Sequence, residues 1–127
     1  MTVGIAATTL ANNWLNMFRA TAFTAPAGFF VKLHIGDPGV AGATNPSAVT
    51  TRVSATLSAA SAGAIAMSSV PSWSMTATET ISHISVWDAV SAGNFLFSVA
   101  LTASQAVVNT NTLNLNTLTF TFSPIAA

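Results

Sequence analysis

The chain has no cysteine and no tyrosine, and only six of its 127 residues are charged: Arg19, Lys32, Arg52, Asp37, Glu79 and Asp88. Without cysteine there is no disulfide and no thiolate metal site, and redox chemistry gives no sign of compartment. Charged residues make up 5% of the chain, against roughly 25% in an ordinary soluble domain. Three scattered basic residues cannot build the stripe that a phosphate backbone demands, so nucleic acid is not an expected partner. Net charge is zero with histidine neutral, which removes the electrostatic barrier to self-association. Such a surface suits a protein whose neighbours cover much of it.

Long apolar runs are missing too. Residues 53–78 carry no charge, but serine, threonine, glycine and proline interrupt them throughout. A membrane-spanning helix needs about 20 predominantly apolar residues, and none is present. The opening MTVGIAATTL lacks the basic start of a secretory signal. A membrane barrel is disfavoured, because the strand-like segments are mostly shorter than the ~9–11 residues of a span and no tyrosine is available for an aromatic girdle. Membrane insertion is not expected.

What is present divides by period. Within residues 9–20, Leu10, Trp14, Met17 and Phe18 fall on one stripe of a 3.6-residue repeat, with Thr8 or Thr9 available as a cap. After a turn at 25–28 the period becomes two. Phe29, Val31, Leu33 and Ile35 share one strand face, with Phe30, Lys32 and His34 on the other, which is expected to point outward. Turn chemistry at 36–39 stops that strand, and residues 40–49 show no periodicity. Alternation returns at 51–58, a turn follows at 59–63, and 64–67 can begin another strand. Pro71 makes the stretch around Trp73 ambiguous.

Residues 80–87 read as a strand covered on both sides, with Ile84 and Val86 facing one way and Ile81, His83 and Trp87 the other. A hairpin signal at 91–94 leads to 94–102, where Phe95, Phe97, Val99 and Leu101 alternate. A short strand is expected at 106–108. In 112–122 the apolar phase slips at Asn116 and Thr117, as a bulge or bend would cause. The pattern predicts an all-β fold: an antiparallel β-sandwich of about seven strands with one short N-terminal helix. One domain is expected over 1–127, with an arm and helix in 1–22 and the sandwich in 28–123.

Candidates for chemistry are few. A serine triad would have to use His34 or His83 with Asp37 or Asp88, and no G-x-S-x-G elbow accompanies them. His34 and Asp37 offer two metal ligands where a site needs three or four. Glu79 and Asp88 would lie about 30 Å apart along an extended strand, too far for paired carboxylate chemistry. They read as solvated charges at the strand ends. No catalytic residue, metal or cofactor is expected. The tryptophans Trp14, Trp73 and Trp87 admit a sugar-stacking platform, although Trp14 reads as core and the other two as core or interface anchors. Phe30, Trp73, Ile81 and Trp87 leave the single-face pattern of a free sandwich and are the candidate interface residues. Residues 36–49 form a loop long enough to clamp a neighbouring subunit.

Four segments in order carry a family resemblance: 15–19 (LNMFR), 22–28 (AFTAPAG), 30–39 (FVKLHIGDPG), and 80–102, with TISHISVWD, GNFLF and ALT. Over about residues 8–122 the chain resembles small tail-fibre-like or minor tail proteins of double-stranded DNA phages, a family that includes head fibres and decorations. Ala20 stands where that family usually has a corner glycine, and residues 69–75 depart most from its pattern. The resemblance implies a structural component of the virion, made in the bacterial cytoplasm without a signal peptide. Its expected partners are copies of itself, as a dimer, trimer or ring, and other capsid or tail proteins. The alternative is a carbohydrate-binding adhesin contacting glycans on the host surface.

Overall fold

The computed structural model describes residues 3–122. The first two residues of the expected arm, and Ser123 at the end of the expected sandwich, lie outside the described residues. A two-residue strand, β1 (Gly4–Ile5), opens the chain. The predicted helix follows over residues 7–19, but it changes pitch twice. Ala7–Ala11 winds as a wide π turn, α1 spans Asn12–Asn16, and Met17–Arg19 tightens into a 3₁₀ turn. No side chain caps its start. The Thr9 hydroxyl, offered by the sequence as a cap, instead donates to the carbonyl of Phe95 and ties the helix to the sheet.

The helix ends at Ala20, which adopts the left-handed conformation with φ 57° and ψ 27°. This is the position where the resembled family has glycine, and the corner survives the replacement. A Cβ in that region costs roughly 1–2 kcal/mol.

The remaining elements are antiparallel strands: β2 (Phe30–His34), β3 (Val53–Ser54), β4 (Ala64–Ala66), β5 (Ser72–Ser74), β6 (Glu79–Trp87), β7 (Phe95–Val107), β8 (Thr112–Asn114) and β9 (Thr119–Thr121). Four of them join β1 in one five-stranded sheet of order β1-β7-β6-β2-β3, and β4-β9 and β5-β8 are two-stranded ribbons. The ribbons pack on one face of the sheet. There Val31, Leu33, Ile84, Val86 and Phe97 meet Trp73 and Met75 in a single apolar cluster, with Leu113 and Phe120 against its edge. The layer over the sheet is therefore two ribbons rather than the continuous second sheet of the expected sandwich.

The phase slip at Asn116 and Thr117 has its explanation here. Residues 112–122 are two strands, not one bent strand: β8 pairs with β5 and β9 pairs with β4. The short strand expected at 106–108 is instead the end of β7, which runs for 13 residues. Ala62 and Gly63, with φ of 49° and 76°, turn the chain tightly into β4. Two successive positive φ values are the signature of a type I′ hairpin turn.

Two register shifts between β6 and β7 correct the expected faces. Val86 lies opposite Phe97 but Trp87 lies opposite Phe95, so Leu96 is the extra residue of a bulge. Phe95 thereby leaves the alternation expected with Phe97 and meets Trp87, their ring centroids 5.5 Å apart. The other shift separates Ile81 from His83. Ile81 joins Ile84 in the core cluster, whereas simple alternation put it with His83 and Trp87.

Candidate functional site

The side chains with chemical character gather on the face of the sheet away from the ribbons. Phe30 and Trp87 are direct cross-strand partners there, and Lys32 lies opposite Ser85. His34, expected to point into solvent, has no exposed surface. The loop after β2 folds back over it. Ser47 N–H donates to the Leu33 carbonyl at 3.1 Å and Ile35 N–H to the Asn45 carbonyl at 3.0 Å, closing the loop on its own strand. Within it, the Asp37 carbonyl accepts hydrogen bonds from the side chains of Thr44 and Asn45.

Gly42, at φ +67°, lies against the Phe95 ring, and a Cβ at that position would collide with it. The loop thus spans from β2 to β7 as a flap. Residues 36–49, long enough to clamp a neighbour, close on their own sheet here, where strand and loop satisfy each other's backbone groups.

Under the flap the polar atoms form one chain of hydrogen bonds. Trp87 Nε1–H donates to Ser85 Oγ at 2.9 Å, and Ser85 Oγ lies 2.7 Å from His34 Nε2. His34 Nδ1 lies 2.8 Å from the Thr44 carbonyl oxygen. A carbonyl only accepts, so Nδ1 carries the proton, and in neutral histidine Nε2 must then accept from the serine hydroxyl. No buried side-chain polar atom among the described residues lacks a partner. Burial holds His34 below the ordinary histidine pKa, helped by nearby Lys32 and His83 and opposed by the carbonyls of Thr44 and Asn45. Lys32 is lowered as well, by burial and then by Arg52.

Arg52 closes the other end of this face. Its guanidinium sits 3.8 Å from the Trp87 ring centroid and donates to the carbonyls of Ala89 and Ala92. The two carboxylates expected to be solvated are structural clasps. Glu79 accepts from the Ser47 hydroxyl and the Ala48 N–H. Asp88 accepts from the backbone and side-chain nitrogens of Asn94, at 2.6 and 2.8 Å, and pins the hairpin. No group of three or more potential metal ligands occurs among the described residues.

The four interface candidates part company. Trp73 and Ile81, at 2% and 0% exposed, belong to the chain's own core cluster. Proline punctuation and a register shift hid that. Phe30 and Trp87 remain half-buried at the sheet surface. The three tryptophans do not share a surface: Trp14 meets Phe122 edge-on at 5.6 Å, Trp73 is buried and Trp87 lies under Arg52.

Two clefts flank the ribbons. One of about 360 Å³ has Trp73, Leu33 and Ile84 in its wall and Thr102, Gln105, Asn114 and Asn116 among its polar groups. The other, of about 330 Å³, is apolar and lies between the helix and the ribbon β4-β9, with Leu10, Trp14, Phe29 and Phe120 in its wall. Sequence reasoning missed a surface beside it. Leu15, Met17 and Phe18 are 64%, 51% and 90% exposed, although Met17 and Phe18 were assigned to the stripe that packs inward. Only Leu10 of that stripe is buried, and Trp14 is half-buried.

Against this fold, the model of the family described as "Podophage GP4 fiber I protein gp80" matches residues 5–123. The chain belongs to this family. It is a phage fibre protein, and its role is structural, as part of a virion. No curated protein matches the chain. No helix among the described residues is long and apolar enough to cross a membrane.

Proposed function

We propose that this fibre protein works by protein–protein assembly, with copies of itself and with other virion proteins, and without a chemical step or cofactor. The carrying observation is the helix surface. Leu15, Met17 and Phe18 stand uncovered in a chain with only six charged residues. Burying one large apolar side chain is worth about 1.5–3 kcal/mol. Phe18 follows Trp14 by one helical turn, so this surface adjoins the apolar cleft. A second copy is the expected occupant: a neutral surface does not repel its own image, and a symmetric oligomer repeats the contact. The family's description as a fibre supports this form of the role over capsid decoration.

Light scattering of the purified chain tests the proposal. A defined oligomer at micromolar concentration, converted to monomer by Phe18→Ser, is the expected result. A monomeric wild type, or an oligomer indifferent to Phe18→Ser and to Leu15→Ser, would remove the helix surface from the account.

The polar-rimmed cleft supports a second reading, a host-glycan adhesin. Its amide and hydroxyl groups suit sugar hydroxyls, and Trp73 in its wall is the reporter. An oligosaccharide panel that leaves tryptophan fluorescence unchanged would retire it.

A further inference from the structure

We propose that His34 is an acid-released latch, holding the 36–47 flap against the sheet when neutral and letting it go when protonated. The geometry makes the protonation state matter. In the neutral ring Nδ1–H holds the Thr44 carbonyl of the flap and Nε2 takes the Ser85 proton. Ser85 Oγ is already an acceptor for Trp87 Nε1–H. Adding a proton to Nε2 turns that nitrogen into a donor, and the Ser85 hydroxyl proton loses its acceptor in a buried site. The new cation would also have no exposed surface.

The charged groups around the ring do not relieve this. Lys32 neighbours His34 on β2, and His83 is its direct partner on β6. Arg52 bears on Lys32 from the next strand segment. Asp37 in the flap accepts from the Gly39 N–H at 2.8 Å, and it is not among the groups that shift the His34 pKa. Glu79 acts at the far end of the flap, on Ser47 and Ala48. Opening exposes the ring to water, where it charges freely. It also uncovers Phe95, now 8% exposed under Gly42.

The sign follows from the depressed pKa. With the open-state histidine near 6.5, the closed flap has its full stability above about pH 6.5. That stability is lost as pH falls from there toward the closed-state value, because only the open form takes up the proton.

Amide hydrogen exchange, followed by NMR on the full chain between about pH 7.5 and 5, reads this directly. The amides of Ile35, Thr44 and Ser47 are expected to lose protection by up to about tenfold per pH unit below ~6.5, once intrinsic rates are divided out. The amides of Val86 and Phe97 serve as the unaffected reference. His34→Gln offers the same donor and acceptor without a titration in this range and is expected to abolish the pH dependence. Flap protection that tracks the core at every pH would overturn the proposal. So would pH dependence that persists in His34→Gln and vanishes in Glu79→Gln. If His34→Gln does not fold, the ring nitrogen shifts of the wild type decide. A neutral Nδ1–H tautomer persisting well below pH 6.5 supports the latch, and His34 titrating at or above that value sinks it.

Discussion

On one face of the five-stranded sheet, Val31, Leu33, Ile84 and Val86 lie under the ribbons and bring no polar side chain with them. On the other face His34, Ser85 and Trp87 lie under a loop, joined by hydrogen bonds. Both faces are closed, but by different physics. Apolar burial is non-directional and tolerates small shifts, so the first face is held by volume and area. The second is held by direction, because its polar groups are joined by hydrogen bonds and an orphaned buried group is costly. The same strands therefore serve as a rigid support on one side and as the seat of a releasable flap on the other.

Substitutions separate the two kinds of closure. The largest effect is expected on the ribbon face. Ile84→Ala removes a fully buried side chain and should cost about 2–5 kcal/mol in urea unfolding, with flap and core amides losing protection together. Next comes Gly42→Ala. The left-handed φ and the collision with Phe95 together should cost about 2–4 kcal/mol, seen first as increased exchange at Thr44 and Ser47. Ser85→Ala should cost about 1–3 kcal/mol by leaving His34 Nε2 and Trp87 Nε1–H without their partner. If Ser85→Ala disturbed the ribbon amides as strongly as those of the flap, the two faces would not be separable. Smallest and opposite in sign is Ala20→Gly, outside both faces. Relief at the helix corner should raise stability by about 0.5–1 kcal/mol and leave the difference between flap and core exchange unchanged.

Legibility in the sequence followed the same division. Period-two alternation located β2, β6 and the first half of β7, because a half-buried strand must repeat every second residue. The 3.6-residue stripe likewise located the helix. His34 was misread because alternation reports only that a side chain lies on the second face. It does not report that a loop beginning two residues later will cover that face. Phe18 was misread in the converse way: a helical apolar stripe is a promise of burial that the chain's own packing keeps only at Leu10 and partly at Trp14. The slip at Asn116 was visible as a break, but a bulge and a change of partner strand leave the same mark in sequence.

The amino-acid order by itself determined the all-β class, the antiparallel strands with their turns, the helix near the start and the poverty of charge. These follow from local periodicity, turn stereochemistry and composition, each of which acts over a few residues. Only the tertiary structure decided which faces are covered. It set Trp73 and Ile81 in the core, left Phe18 outside, and sealed His34 under the flap. Those outcomes depend on contacts between residues distant along the chain, such as His34 with Ser85 and Gly42 with Phe95, and no local pattern encodes them.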